Sequence, residues 1–244
     1  MKIYPAYLFD LYGTLVDIHT DESKPGFWKL IAEYYTAHGA ACDAARLRSD
    51  YLRLCAKETE RLQGQCPGAA VEIDLLPVFQ SLYLQKGLSP DAATLAETAW
   101  YFRQRSTTHL RTYAGAGELL TALRAAGGTV ILLSNAQACF TRPELDRLGL
   151  TGKFDRIFIS SEHGFKKPDP RFFTAPLREL GLEPGDCLMI GNDPACDIEG
   201  AARVGMEAVY IQSALSPKTR QAPDAVLTLP RMDLRCLRRI LLGK

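Results

Sequence analysis

The chain has 244 residues, a formal net charge of +1, and 47% apolar against 23% charged residues. Those fractions are average for globular domains and exclude a disordered chain, and no basic excess is available for a nucleic-acid scaffold. The length suits one large domain or two small ones with a real core.

In chain order, the first strong pattern is Ala6-Tyr7-Leu8-Phe9-Asp10, a short apolar run that ends on a carboxylate. It reads as a buried strand followed by a turn, Leu11-Tyr12-Gly13-Thr14. The run is too short for a signal-peptide core, and no apolar run reaches the length of a membrane span. Seven cysteines, scattered and without CxxC spacing, read as free thiols in a reducing compartment. The expected setting is therefore cytoplasmic, without membrane or nucleic-acid partners. From about residue 20 to 108 no strand is expected. Amphipathic segments at 27–38, 43–62, 73–86 and 91–106 predict an all-helical block, broken at 64–68 and 87–90. Short apolar runs then return at 129–133, 156–160, 187–190, 208–211 and 225–229. Helical patterns at 117–126, 170–180 and 197–204 lie between them, and a basic amphipathic segment at 232–244 closes the chain. Strands alternating with helices predict an α/β fold, a Rossmann-like three-layer parallel sheet with an inserted α-helical block. The expected division is 1–17 and 109–244 for the core, and 18–108 for the insert.

Reacting groups in such sheets gather at the carboxyl ends of the strands. Asp10 ends the first strand, and Ser134-Asn135 ends the next one in the sheet. Lys166-Lys167-Pro168-Asp169 follows the third, and Gly191-Asn192-Asp193 ends the fourth, with Asp197 four residues on. A carboxylate, a hydroxyl, an ammonium and two further carboxylates thus converge on one edge, as a nucleophilic phosphate or ester site requires.

Four motifs in this order and spacing resemble the haloacid dehalogenase superfamily, whose members are mostly magnesium-dependent phosphatases. They are Asp10-Leu11-Tyr12-Gly13-Thr14, Leu133-Ser134-Asn135, Lys167-Pro168-Asp169-Pro170 and Gly191-Asn192-Asp193 through Asp197. The insertion point of the helical block resembles the helical cap subclass. The resemblance implies that Asp10 is the nucleophile, forming an aspartyl-phosphate. It gives Lys167 the role of holding Asp10 and neutralising charge, with Lys166 a solvated neighbour. Ser134 would donate to the phosphoryl oxygens, helped by backbone N–H groups near Leu11 and Asn135, while Thr14 shapes the turn or touches phosphate. A Mg²⁺ site would use Asp10, the carbonyl of Tyr12 and Asp193. Asp197 would coordinate through water, orient Lys167 or cap a helix.

Tyr12 departs from the phosphatase pattern, which has an Asp there as general acid and base. The 2-haloacid dehalogenase branch typically has this Tyr, in a phrase close to residues 9–15. Its chemistry uses no metal and needs no acid, since halide leaves without a proton. Arg103 and Arg105 are the available candidates for that branch's halide-gripping arginine. Asp193 and Asp197, however, keep the metal-site pattern. The expected activity is Mg²⁺-dependent hydrolysis of a small phosphorylated metabolite by a monomer or homodimer. The alternatives are a metal-independent 2-haloacid dehalogenase, and a weakly active or inactive member that serves as a binding protein. His19, His38, His109 and His163 have no ligand spacing and read as surface or capping groups.

Overall fold

The computed structural model describes residues 2–218 and 223–243. β1 (Ala6–Phe9) is wholly buried, and β2 (Val16–Thr20) follows after the turn. Four helices come next: α1 (Phe27–Ala37), α2 (Ala44–Gln65), α3 (Leu76–Leu84) and α4 (Ala92–Ser106). β3 (Thr107–Thr112) then leads to α5 (Ala116–Ala125), β4 (Thr129–Ser134), α6 (Ala138–Arg147) and β5 (Arg156–Ile159). The chain ends through α7 (Pro170–Leu180), β6 (Cys187–Gly191), α8 (Gly200–Arg203), β7 (Glu207–Ile211), β8 (Leu227–Leu229) and α9 (Leu234–Leu242).

Six strands form one parallel sheet in the order β5-β4-β1-β6-β7-β8. The chain order reverses beside β1, which is where doubly wound sheets open a crevice at their carboxyl edge. Phe9 is level with Leu132 and Ile190, so Asp10 emerges level with Leu133 and Gly191. Side chains alternate between faces along each strand. Phe9, Leu132 and Ile190 face α5 and α9, packing on Leu119, Leu123, Leu237 and Leu241. Leu8, Ile131 and Met189 face α7 and α8, packing on Phe172, Phe173 and Ala201. Both faces are covered, which explains why these strands read as continuous apolar runs. The expected three-layer α/β architecture is what the chain adopts.

The insert is joined to the core by an antiparallel ribbon, β2 against β3. Its four helices share an aromatic cluster that includes Phe27, Tyr35, Tyr51, Phe79 and Phe102. Asp43 and Asp91 cap α2 and α4 by accepting backbone N–H groups of Ala45, Arg46 and Thr94.

Three local expectations change. The ribbon reaches Thr20 on one side and starts at Thr107 on the other, so the helical block is entered and left through strands. Helix α6 was not expected and carries Pro143 in its interior. The segment expected as a helix from 197 begins earlier, as a wide helical turn over Pro194–Glu199 that continues into α8. Helix α9 bears out most of 232–244, while Lys244 lies outside the described residues. Among the described residues no helix is long and apolar enough to cross a membrane, and all seven cysteines are free.

Candidate active site

The carboxyl edge of the sheet gathers the expected charges around one lysine. Asp10 sits just past β1, and its N–H donates to the Ile190 carbonyl at 2.9 Å. Lys167 is 1% exposed, and its Nζ lies 2.8 Å from Asp10 Oδ1 and 2.7 Å from Asp197 Oδ1. Burial alone would drive the proton off this lysine. The carboxylates of Asp10 and Asp197 outweigh that and hold its pKa above the usual lysine range. Burial pushes the Asp197 carboxyl up, against the pull of the Lys167 ammonium. Lys166, by contrast, is 42% exposed and lies 3.7 Å from Glu72.

Close backbone packing makes this convergence possible. Gly13 has φ +88°, and a Cβ there would lie 2.2 Å from Asn192 Nδ2. A Cβ on Gly191 would lie 2.1 Å from Asp197 Oδ2. Only glycine at these two points lets the loops after β1 and β6 and the Asp197 side chain meet.

The remaining expected residues fall around that centre. Thr14 Oγ1 donates to Asp10 Oδ2 at 3.0 Å, with Asn192 Oδ1 at 3.3 Å as its alternative acceptor. Asp197 Oδ2 accepts the Asp193 N–H at 2.9 Å, so Asp197 orients Lys167 and braces the loop. Helix capping falls to Asp193 instead, whose Oδ1 accepts from the Ala195 and Cys196 N–H groups. Asn135 is a clamp on the Lys167 peptide: its Oδ1 accepts the Lys167 N–H at 2.8 Å and its Nδ2 donates to the Lys167 carbonyl at 2.9 Å. The side chain is thereby occupied, which leaves the phosphate role expected of Asn135 to its backbone. The Leu11 carbonyl receives the N–H groups of Thr14, Leu15 and Val16 and closes the turn. Ser134 is fully buried, and its hydroxyl has no hydrogen-bond partner among the described residues. A buried orphan hydroxyl is costly unless a ligand completes it.

Asp10, Tyr12, Asn135, Lys167, Asn192 and Asp193 line a cleft of about 170 Å³. A larger hollow of about 750 Å³ lies at the opposite end of the sheet, near Tyr4, Leu123 and Leu241. Its lining is mainly apolar, so the chemistry belongs to the smaller cleft. Three carboxyl groups there face one ammonium, which leaves negative charge for a cation to offset. Mg²⁺ suits such a cleft, since it takes one or two carboxylates and fills its other positions with water and substrate oxygens. Asp10, Asp193 and the Tyr12 carbonyl fit that donor set.

Tyr12 is bound differently from an acid facing a substrate. Its hydroxyl donates to Glu144 Oε2 and lies 3.0 Å from Thr141 Oγ1, both on α6. Burial, with Glu144 adding to it, raises this phenol above its ordinary pKa. Arg103 from α4 pairs with Glu144, its Nε 2.6 Å from Oε1. Glu144 and Thr141 had no place in the sequence reading, because their segment was not expected to be helical. A second missed contact is a strap from the insert across the lysine loop. Lys166 N–H donates to the Ala70 carbonyl, Glu72 N–H donates to the Gly164 carbonyl, and Ala70 N–H reaches Asp169 Oδ2.

The family model for haloacid dehalogenase-like hydrolases matches residues 4–205. A phosphoserine phosphatase of Thermus thermophilus is 35% identical over 149 residues, covering 60% of this chain and 58% of the relative. A glyceraldehyde 3-phosphate phosphatase of Pyrococcus furiosus is 29% identical, covering 95% and 92% of the two chains. The crystal structure of a 2-haloacid dehalogenase from Pseudomonas syringae superposes with a TM-score of 0.64 at 19% identity, covering 99% of each chain, a likeness of fold alone.

Proposed function

This chain belongs to the haloacid dehalogenase-like hydrolases, and on that premise we propose that it is a Mg²⁺-dependent hydrolase of a small phosphate monoester. The observation that carries this reading is the buried Asp10–Lys167–Asp197 ion pairing at the carboxyl edge of the sheet. Relatives named for phosphoserine and glyceraldehyde 3-phosphate support a small phosphorylated metabolite as substrate.

In this reading a carboxylate oxygen of Asp10 attacks phosphorus. The new Asp10–phosphorus bond forms as the ester oxygen–phosphorus bond breaks, and the alcohol leaves with a proton from solvent. Water then cleaves the aspartyl-phosphate, releasing phosphate and restoring Asp10. Lys167 and Thr14 each hold one Asp10 oxygen and so fix the attacking group. The Lys167 ammonium offsets charge on the transferring group. The orphan Ser134 hydroxyl donates to a phosphoryl oxygen. Asp10, Asp193 and the Tyr12 carbonyl would hold Mg²⁺, which would supply further charge neutralisation. Residues 18–108 act as a cap over the core segments 1–17 and 109–244, covering the cleft and selecting the alcohol. The free thiols support a reducing, cytoplasmic setting for this enzyme.

One observation favours the second reading, a 2-haloacid dehalogenase: Tyr12 stands where phosphatases have an acid. A panel of phosphate monoesters and 2-haloacids, each with and without Mg²⁺, separates the two. We expect phosphate release that stops on chelation. Halide release without phosphate release would overturn the phosphatase reading.

A further inference from the structure

Tyr12 lines the cleft two residues past Asp10, but its hydroxyl is held by groups outside the cleft. The hydroxyl has one proton, and Glu144 Oε2 takes it, so Thr141 is the donor in the second contact. The other Glu144 oxygen is taken by Arg103. The Arg103 guanidinium carbon also lies 5.7 Å from the Tyr12 ring centre and 5.2 Å from that of Phe140. Glu144 is 2% exposed and Arg103 14%, so the pair is shielded from water. Arg103 belongs to the insert, Glu144 to the core and Tyr12 to the nucleophile loop.

We propose that Glu144 is a positioning residue that couples seating of the helical insert, through Arg103, to placement of the Asp10 loop, through Tyr12. A buried carboxylate tolerates loss of its partner poorly, because the remaining charge is uncompensated. When the insert lifts, Arg103 leaves with α4, and the pull of Glu144 on Tyr12 changes. Only the seated insert gives the loop its complete anchor. The Tyr12 carbonyl is a donor to the cation site proposed above, so movement of this residue is also felt in Mg²⁺ affinity. The phenol then acts through position and not as an acid.

The full chain, Tyr12→Phe, Arg103→Gln and the double variant are compared with para-nitrophenyl phosphate and, by calorimetry, with Mg²⁺ alone. Both assays rest on the phosphatase reading, to which the Mg²⁺ site belongs; hydrogen exchange of residues 11–16 in the same four proteins needs neither substrate nor metal, and we expect it to be faster in each single variant than in wild type. We expect each single variant to lower kcat about tenfold with KM within about twofold, and to weaken Mg²⁺ binding. The double variant should be no worse than the poorer single one, because both losses pass through Glu144. Multiplying losses in the double variant, or a Tyr12→Phe protein equal to wild type in both assays, would overturn the coupling. Tyr12→Phe keeps the ion pair, so it decides the matter even where Arg103→Gln does not fold. A wild-type chain inert toward every phosphate monoester contradicts the function instead, and hydrogen exchange of residues 11–16 then still tests the coupling: single variants that exchange there as slowly as wild type would overturn it.

Discussion

The sheet edge and the helical insert are built on different principles. At the edge, parallel strands with apolar side chains on both faces present one buried lysine between two carboxylates. The insert is held by stacked and edge-on aromatic rings, including Phe79 against Phe102 at 5.2 Å and Phe102 against Phe140 of α6 at 6.1 Å. Charge at the edge is local and paired through the backbone frame. Charge in the insert is largely at its surface, apart from Arg103 and the Glu72 strap. The contrast teaches that charge and coverage are built separately: the sheet edge places the charged groups, and the insert touches their supports through α6 and the lysine loop.

The contrast can be broken by single substitutions, the largest at the edge. Asp10→Asn should lower kcat on the order of 10⁴-fold or more, equivalent to about 5 kcal/mol of barrier. Steady-state kinetics checks this, and persistent turnover would remove Asp10 from the chemistry. Phe79→Ala attacks the aromatic cluster, where this ring is fully buried. It should destabilise the insert by about 3–5 kcal/mol. Hydrogen exchange should rise in α1–α4 and stay slow in β1, β4 and β6; equal loosening of both regions would mean that they fold as one unit. Glu72→Gln has the smallest effect. Burial raises the Glu72 carboxyl above its ordinary pKa, against Lys166. A carboxyl raised on folding is most favourable when protonated, so its contribution is present at low pH and is lost as pH rises past the unfolded value. The Gln variant should therefore lose less melting temperature than wild type between roughly pH 4 and pH 7. An identical pH profile would show that the strap does not depend on this carboxyl.

The sheet was legible because fully buried parallel strands leave short continuous apolar runs, and the helical pattern at 170–180 is α7, which Pro170 opens and Gly181 closes. The ribbon was not, since β3 alternates exposed Thr, His and Arg with little apolar signal. Helix α6 was hidden by an interior proline, Pro143, which removes a donor that most helices need. The motif residues Asp10, Ser134, Lys167, Asp193 and Asp197 were legible from spacing along the chain. The contacts that refine them were not. Arg103 and Glu144 are 41 residues apart in sequence, and Asn135 and Lys167 are 32 apart, so no local pattern records either pair.

The central claim is covalent catalysis by Asp10, and trapping the intermediate tests it most directly. Wild-type protein turning over a phosphate monoester with Mg²⁺ is quenched in acid, digested and examined by mass spectrometry. The account predicts a phosphate adduct on the peptide containing Asp10, absent from Asp10→Asn and after chelation. A wild-type protein that releases phosphate with no adduct on that peptide, or with an adduct elsewhere, would contradict it.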